Sequence, residues 1–320
     1  VVEWRRRKGK RGKKSRRMLV ANLRYSMRLL WSMDMLPASG CNRIGVLDSG
    51  VGGLTVLSPL LDALPEAEFI YYADGAWCPY GPRSVEEVKR RIFFIVQGMR
   101  DSGCSMIVVA CNTATAAAIE ALRLEYDIPF VGMEPAIKPA ALGSQTKVIG
   151  VLATRGTLMS DRFQRQLALY NRHVEIMQVA GDGLVELVEQ GLSDTPETRN
   201  RVQELVEPLV ARGIDFLVLG CTHYPFLMKA FESVLPSSVT VVNPAEAVCR
   251  QAVRVFESIR EPYAKRVECK GWLLLVSSGD GSGLKCKLES YVGASRLGIA
   301  VRGMLSGVSP ESLPTAIRSL

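Results

Sequence analysis

Short apolar runs that end in small or polar residues recur along the chain, and segments of helical periodicity lie between them. Residues 44–47, 69–73 and 107–110 are such runs, rich in aliphatic, β-branched or aromatic side chains. Continuous apolar runs of this length are typical of strands that are buried on both faces of a parallel sheet. Their alternation with helices predicts a parallel, doubly wound α/β fold.

A second series of the same kind begins near Lys147. A helix over 245–259 and a last strand over 272–276 follow it. The strands predicted within this series are residues 148–152, 174–179, 216–219 and 239–242. The repetition indicates two related α/β halves, and sites in such folds lie at the carboxyl ends of the strands.

A cysteine follows an apolar run in each half. Cys111 comes after the run that ends at Ala110, and Cys221 comes after Gly220, 110 residues further along. This spacing is about the length of one small α/β domain. A helix beginning directly after Cys111 would direct its positive end at the sulfur and favour the thiolate. A buried structural cysteine is the alternative for each position alone, but the pair predicts a site between the halves.

A glycine-rich turn follows the first predicted strand. Asp48 directly follows this strand, and Gly50, Gly52 and Gly53 lead into a helix from about Leu54. Glycines allow close backbone approach, and a helix N-terminus offers N–H groups to an anion such as a carboxylate or phosphate. The spacing differs from the dinucleotide-binding pattern, so we expect an anion cradle without a nucleotide.

The positive charge of the chain is confined to its beginning. The 320 residues carry a net charge of +8, and residues 1–17 alone carry +9, so the rest sums to −1. Such an arm cannot pack a core, and residues 1–42 are predicted to be a disordered extension or to contain the true translation start, at Met18, Met27 or Met33. We expect no nucleic-acid partner for the body of the chain. A DNA-binding role of the arm is the hypothesis from a different functional class.

The remaining composition excludes several kinds of site. The eight cysteines form no CxxC pair, and only two histidines are present, His173 and His223, so we expect no His-rich metal site. Cysteines within apolar segments suit a reducing compartment, and no apolar run approaches the ~18 residues of a membrane span. We therefore expect a cytoplasmic protein with no membrane association.

Two thiols that face one carbon atom suggest a particular chemistry. A Cys–His hydrolase needs one nucleophile and would leave the second cysteine unexplained. A redox pair is the other alternative, although no CxxC or resolving arrangement is visible. One thiol acting as base and the other as acid would invert the configuration of a carbon acid.

Six ordered segments of the chain resemble the bacterial glutamate racemases, within the cofactor-independent aspartate/glutamate racemase superfamily. The resemblance extends from about residue 43 to 293, nearly four-fifths of the chain. The segments that carry it are residues 48–54, 78–81, 109–114, 134–136, 152–157 and 219–225.

The resemblance implies a role for individual residues. Cys111 and Cys221 would be the two proton donors and acceptors, with Asp48 assisting Cys111 and His223 assisting Cys221. Glu189, rather than Glu186 on the same predicted helix, would be a further assisting acid. The residues implied to bind substrate are Asp48, Ser49, Tyr80, Gly81, Asn112, Thr113, Thr154, Thr157, Thr222 and His223.

The resemblance also implies a reaction and an architecture. The reaction is racemisation of L-glutamate to D-glutamate for peptidoglycan, without pyridoxal phosphate or metal. Racemisation of aspartate or another amino acid is the alternative. A peptidoglycan precursor activates some members, and some are linked to inhibition of DNA gyrase. A homodimer is also expected.

The implied domains are pseudo-symmetric, with the active site between them. The first would comprise residues 43–136 and 245–293, and the second residues 137–244. Residues 294–320 would be a tail of unknown structure.

Overall fold

The computed structural model describes residues 43–259, 271–292 and 300–305. The predictions about the basic arm, residues 1–42, and about most of the C-terminal tail fall outside these residues. Within the described ranges, no helix has the length and apolar character needed to cross a bilayer. The six cysteines of these ranges are free thiols.

Strands and helices alternate along the described chain. The strands are β1 Arg43–Asp48, β2 Glu68–Ala73, β3 Cys104–Val109, β4 Phe130–Gly132, β5 Val148–Ala153, β6 Glu175–Ala180, β7 Phe216–Gly220, β8 Thr240–Val242, β9 Trp272–Ser277 and β10 Ala300–Leu305. The helices are α1 Leu54–Ala63, α2 Val85–Asp101, α3 Asn112–Glu125, α4 Ile137–Gly143, α5 Arg155–Leu158, α6 Asp161–Tyr170, α7 Leu184–Glu189, α8 Pro196–Ala211, α9 Met228–Val234, α10 Ala245–Ile259 and α11 Ser282–Val292.

The strands form two parallel sheets with a shared topology. The first sheet has the order β10-β9-β2-β1-β3-β4, and the second has the order β6-β5-β7-β8. All of their strand pairs are parallel. The run β2-β1-β3-β4 therefore matches β6-β5-β7-β8 strand for strand. This repeat confirms the predicted fold class of two pseudo-symmetric, doubly wound α/β halves.

We call the six-stranded sheet with its helices the first lobe, and the four-stranded sheet with its helices the second lobe. The chain enters the second lobe after β4 and returns to the first with α10, which packs on α1. Strands β9 and β10 then extend the first sheet. Part of the predicted tail, Ala300–Leu305, is thus a strand at the edge of this sheet.

Local sequence explains where several helices begin. Ser84 and Glu87 form a capping box at α2, in which each side chain bonds the backbone N–H of the other residue. Thr195 caps α8, and Pro196 takes its first position, where a missing N–H costs nothing. Gly183 precedes α7 with φ of 86°, a left-handed conformation that favours glycine.

The first sheet begins at a buried ion pair. The guanidinium of Arg43 lies 2.8 Å from the carboxylate of Glu68, and both side chains are buried. Because the two residues are paired across β1 and β2, the ion pair lies at the amino edge of the sheet. The groups described below lie at the opposite, carboxyl edge of the sheet.

Candidate active site

The carboxyl ends of four strands meet between the lobes. In each sheet the chain first adds a strand to one side of a central strand and then a strand to its other side, so β1/β3 and β5/β7 are topological switch points. Asp48 ends β1, Cys111 follows β3 by two residues, Thr154 directly follows β5, and Cys221 directly follows β7. The two cysteines follow equivalent strands of the repeat.

A cavity of about 10 Å³ lies at this junction, with room for roughly one water molecule. Both predicted catalytic cysteines line it, together with eight of the predicted substrate-binding residues. The lining residues are Ser49, Pro79, Tyr80, Gly81, Cys111, Asn112, Thr113, Thr154, Val185, Cys221, Thr222 and His223. Residues from both lobes thus enclose one polar space.

The thiol of Cys111 is buried at the start of α3. Its sulfur accepts a hydrogen bond of 3.5 Å from the N–H of Ala114 and lies 3.7 Å from Oγ of Ser49. Burial, and then the nearby charge of Asp48, raise the pKa of the Cys111 thiol to about 12. The N–H of Ala114 in the first turn of the helix lowers this pKa, as expected for a helix N-terminus, but desolvation by burial outweighs it.

The second thiol belongs to a chain of three side chains. Sγ of Cys221 lies 3.8 Å from Nδ1 of His223, and Nε2 of the same ring lies 2.6 Å from Oε1 of Glu189. Burial disfavours the charged form of His223. Its contacts with Cys221, Cys78 and Glu189 nevertheless raise the pKa of His223 well above its usual value. The pKa of Glu189 is lowered despite its burial, because of the His223 partner. Both pKa directions favour a charged pair, with the proton on the imidazole of His223 and the negative charge on Glu189.

The glycine-rich turn holds this carboxylate. The N–H of Val51 donates a 2.9 Å hydrogen bond to Oε1 of Glu189. A side chain at Gly52 would collide with the ring of His223, so glycine permits the close approach. The predicted anion cradle exists, and the anion within it is a carboxylate of the protein itself.

Asp48, in the first lobe, is hydrogen-bonded to Thr222 of the second lobe. Its Oδ1 accepts a hydrogen bond from the N–H of Gly50 at 2.9 Å, and its Oδ2 accepts one from the hydroxyl of Thr222 at 3.0 Å. Burial is the largest influence on Asp48 and raises its pKa. Its negative charge in turn makes Cys111 a stronger base.

Hydroxyl groups connect the lobes on the other side of the cavity. Oγ1 of Thr113 lies 2.8 Å from Oγ1 of Thr154 and 3.3 Å from Oγ1 of Thr157. Beside them, both polar atoms of the Asn112 amide are buried without a hydrogen-bond partner. Unpaired buried polar groups are rare and costly in folded proteins. The amide of Asn112 is thus available to a polar ligand in the cavity.

The loop that carries Tyr80 and Gly81 is fixed by a buried network. The hydroxyl of Tyr80 donates a 2.6 Å hydrogen bond to Asp74, which also accepts hydrogen bonds from Arg91 and Ser278. Tyr80, held in this way, lines the cavity. Gly81 lies against Thr154, where a Cβ atom would be 3.1 Å from that side chain.

Sequence reasoning missed several supporting residues. Asp74 and Arg91 lie 17 positions apart, and their spacing carries no recognisable pattern. Lys287 was also missed; its ammonium donates hydrogen bonds of 2.6 and 2.8 Å to the carbonyl oxygens of Val188 and Glu189 at the end of α7. Cys78 was noted only as part of a similar segment, yet its sulfur lies 3.7 Å from Oε1 of Glu189.

Comparisons with known proteins agree on one family. The sequence model for Asp/Glu/hydantoin racemases matches residues 50–252. A glutamate racemase from Ectopseudomonas mendocina is 46% identical over 213 residues, which are 66% of this chain and 81% of that protein.

Solved structures show the same likeness. A glutamate racemase isoform from Bacillus anthracis has 33% identity and a TM-score of 0.71, over 84% of this chain and 99% of that one. Escherichia coli glutamate racemase, in complex with L-glutamate and the activator UDP-MurNAc-Ala, has 29% identity and a TM-score of 0.72. The coverage is 84% of this chain and 100% of that one.

Proposed function

Because this chain belongs to the Asp/Glu/hydantoin racemase family, we propose that it interconverts L- and D-glutamate with its own two thiols. The observation that carries this proposal is the pair Cys111 and Cys221, which follow equivalent strands of the two lobes and line one cavity. A site between two related halves supplies one acid–base group to each face of a substrate carbon. Racemisation by two bases needs this arrangement, whereas hydrolysis by a Cys–His pair would need only one of the two thiols.

The proposed reaction transfers two protons at one carbon atom. One cysteine, as thiolate, removes the α-proton; the C–H bond breaks, and its electron pair stays on the α-carbon and the adjoining carboxylate. The thiol of the other cysteine then donates its proton to the opposite face, which forms the new C–H bond and leaves a thiolate. The reverse reaction exchanges the two roles, so Cys111 and Cys221 each serve as base for one enantiomer.

The surroundings of the two thiols suit these roles in different ways. The charge of Asp48 strengthens Cys111 as a base. The imidazolium of His223, held by Glu189, can give a proton to Cys221 or stabilise its thiolate. Asn112 and the hydroxyls of Ser49, Thr113, Thr154, Thr157 and Thr222 would bind the ammonium and carboxylate groups of the substrate.

The cavity of about 10 Å³ is too small for glutamate. Substrate therefore enters when the lobes separate, and polar groups of both lobes that line the cavity would then bind it. A dry, closed site strengthens each electrostatic contact with the carbanion. We propose that D-glutamate made in this way supplies peptidoglycan synthesis, and that a peptidoglycan precursor is the class of activator to test.

A chiral assay of the purified full chain decides the proposal. Without added pyridoxal phosphate or metal, either enantiomer of glutamate should reach an equal mixture of both, and Cys111→Ala and Cys221→Ala should each abolish this. Activity on aspartate alone would assign the chain to the sister activity. Normal turnover in either cysteine variant, or a requirement for pyridoxal phosphate, would overturn the two-thiol mechanism.

A further inference from the structure

Three potential metal ligands meet at the edge of the active site. Cys78 from the first lobe and Glu189 and His223 from the second have ligand atoms that all lie within 4.8 Å of one another. We propose that these residues form an inhibitory zinc site, which binds Zn²⁺ and stops the reaction. The inhibitory effect rests on the proposed racemase function, whereas the binding of zinc does not.

The donor types suit zinc. A thiolate, an imidazole and a carboxylate are the ligands that Zn²⁺ takes in proteins, and three of them with an open fourth position are common. A hard ion such as Mg²⁺ prefers oxygen ligands alone. Cys78 is only half-buried, which gives a metal ion access from solvent. A water molecule would complete the tetrahedron.

Two of the three ligand separations are close to those of a zinc site, and the third, between Cys78 and His223, is within 4.8 Å. Zinc lies about 2.0–2.1 Å from nitrogen or oxygen and about 2.3 Å from sulfur, so tetrahedral ligand atoms are roughly 3.3–3.6 Å apart. Sγ of Cys78 is 3.7 Å from Oε1 of Glu189, close to that separation. Nε2 of His223 is 2.6 Å from the same oxygen and must move away by less than about 1 Å.

The surrounding contacts hold the ligands in place. The N–H of Val51 and the contact of Lys287 with the end of α7 fix the position of Glu189. Nδ1 of His223 is oriented toward Cys221, which leaves Nε2 as the nitrogen on the side of Glu189. Groups that orient metal ligands in this way strengthen metal binding.

Zinc would block the reaction in two ways. Its binding releases the thiol proton of Cys78 and the Nε2 proton of His223 to solvent, with no change of oxidation state. The metal then takes the place of the proton between His223 and Glu189, so the ring no longer exchanges that proton on behalf of Cys221. The metal also joins the lobes and hinders the separation through which substrate enters.

The variant Cys78→Ser tests whether the metal binds at Cys78 or at another thiol. The full chain, freed of metal by a chelating resin, is titrated with Co²⁺ and Zn²⁺ and assayed for glutamate racemisation. We expect one bound ion, a thiolate-to-Co²⁺ absorption band in the near ultraviolet, and loss of activity that follows zinc occupancy. Cys78→Ser should lose the band and bind zinc about 10-fold or more weakly. Its inhibition by zinc is measured relative to its own activity without metal. The matched variant Cys286→Ser, at an exposed thiol of α11, should behave as the unmodified chain.

Two outcomes would overturn the proposal. If Cys78→Ser keeps both the band and the inhibition, Cys78 is not a ligand and the metal binds elsewhere. Cys221, the other thiol near His223, would then be the candidate ligand. If no stoichiometric ion binds to the unmodified chain, the site does not exist. The titrations decide the metal site even if the chain fails to racemise any amino acid, so failure of the proposed function is recognised separately.

Discussion

The hydroxyl of Thr222 donates a hydrogen bond of 3.0 Å to Oδ2 of Asp48. This bond joins the residue directly after Cys221, in the second lobe, to the end of β1 beside Cys111, in the first. Thr55 also contacts both lobes: its hydroxyl oxygen lies 2.8 Å from the carbonyl oxygen of Gly52 and 3.3 Å from that of Thr222. The two thiols are thereby placed relative to each other by a buried polar contact between the lobes.

Removing the charge of Asp48 should weaken one thiol more than the other. In Asp48→Asn the carboxylate no longer strengthens Cys111 as a base, and we expect kcat/KM to fall by about 100-fold. Because the enantiomers are equally stable, kcat/KM must fall equally in both directions. The unequal effect on the two thiols should instead appear in the primary isotope effect with α-deuterated glutamate. This isotope effect should rise mainly in the direction where Cys111 is the base. His223→Asn should show the opposite preference, and the same preference in both variants would contradict the assignment.

Isotope exchange distinguishes two bases from one. In D₂O, starting from one enantiomer, the product should carry deuterium while the remaining substrate stays largely protium early in the reaction, because the donating thiol has exchanged with solvent. Proton NMR and mass spectrometry of the separated enantiomers measure this. Transfer of the original hydrogen into product, or equal labelling of both enantiomers, would indicate a single shuttling base.

Asn112→Ala should impair binding without loss of stability. The amide of Asn112 has no hydrogen-bond partner within the folded protein, so its removal breaks no such bond there. We expect an unchanged or slightly higher free energy of unfolding, and a KM for glutamate higher by about 10-fold, the effect of roughly 1.4 kcal/mol. Urea unfolding and steady-state kinetics test the two halves of the prediction. A destabilised variant with normal KM would show a structural role.

Lys287 should act through the position of Glu189. In Lys287→Met the two carbonyl oxygens at the end of α7 lose their donor, and we expect a loss of about 1–3 kcal/mol in the free energy of unfolding. The displaced Glu189 should change the isotope effect in the same direction as His223→Asn. Lys287→Arg, which retains a donor, serves as the control and should recover part of the stability and of the normal isotope effect. A purely structural role would lower stability and leave the isotope effects unchanged.

The raised pKa of Cys111 makes stability depend on pH. The folded state keeps this thiol protonated up to a pKa of about 12, from an ordinary value of 9.0, so unfolding releases a proton between these values. The contribution of Cys111 is fully present below pH 9 and is lost as pH rises toward 12, by at most about 1.4 kcal/mol per pH unit. Cys111→Ser should therefore show a shallower decline of unfolding free energy over this range. Equal slopes in both proteins would refute the shift.

The sequence by itself determined most elements of the fold and the positions of the two candidate thiols. The helix predicted over 245–259 is α10, and the strand predicted over 272–276 is β9 with one more residue. Local periodicity and cap residues suffice for such predictions, because each depends on neighbours along the chain. The repeated cysteine after an apolar run likewise placed Cys111 and Cys221 at the carboxyl edge, since every parallel strand ends there.

Only the tertiary structure decided which groups meet across the lobes. Val51 and Glu189 are 138 positions apart, and their hydrogen bond fills the glycine cradle that the sequence offered to an outside anion. The neighbours of Cys78 and the unpaired amide of Asn112 are likewise set by the packing of one lobe on the other. The pKa of Cys111 rises for the same reason, because burial depends on the closure of the site and not on the residues beside the cysteine in sequence.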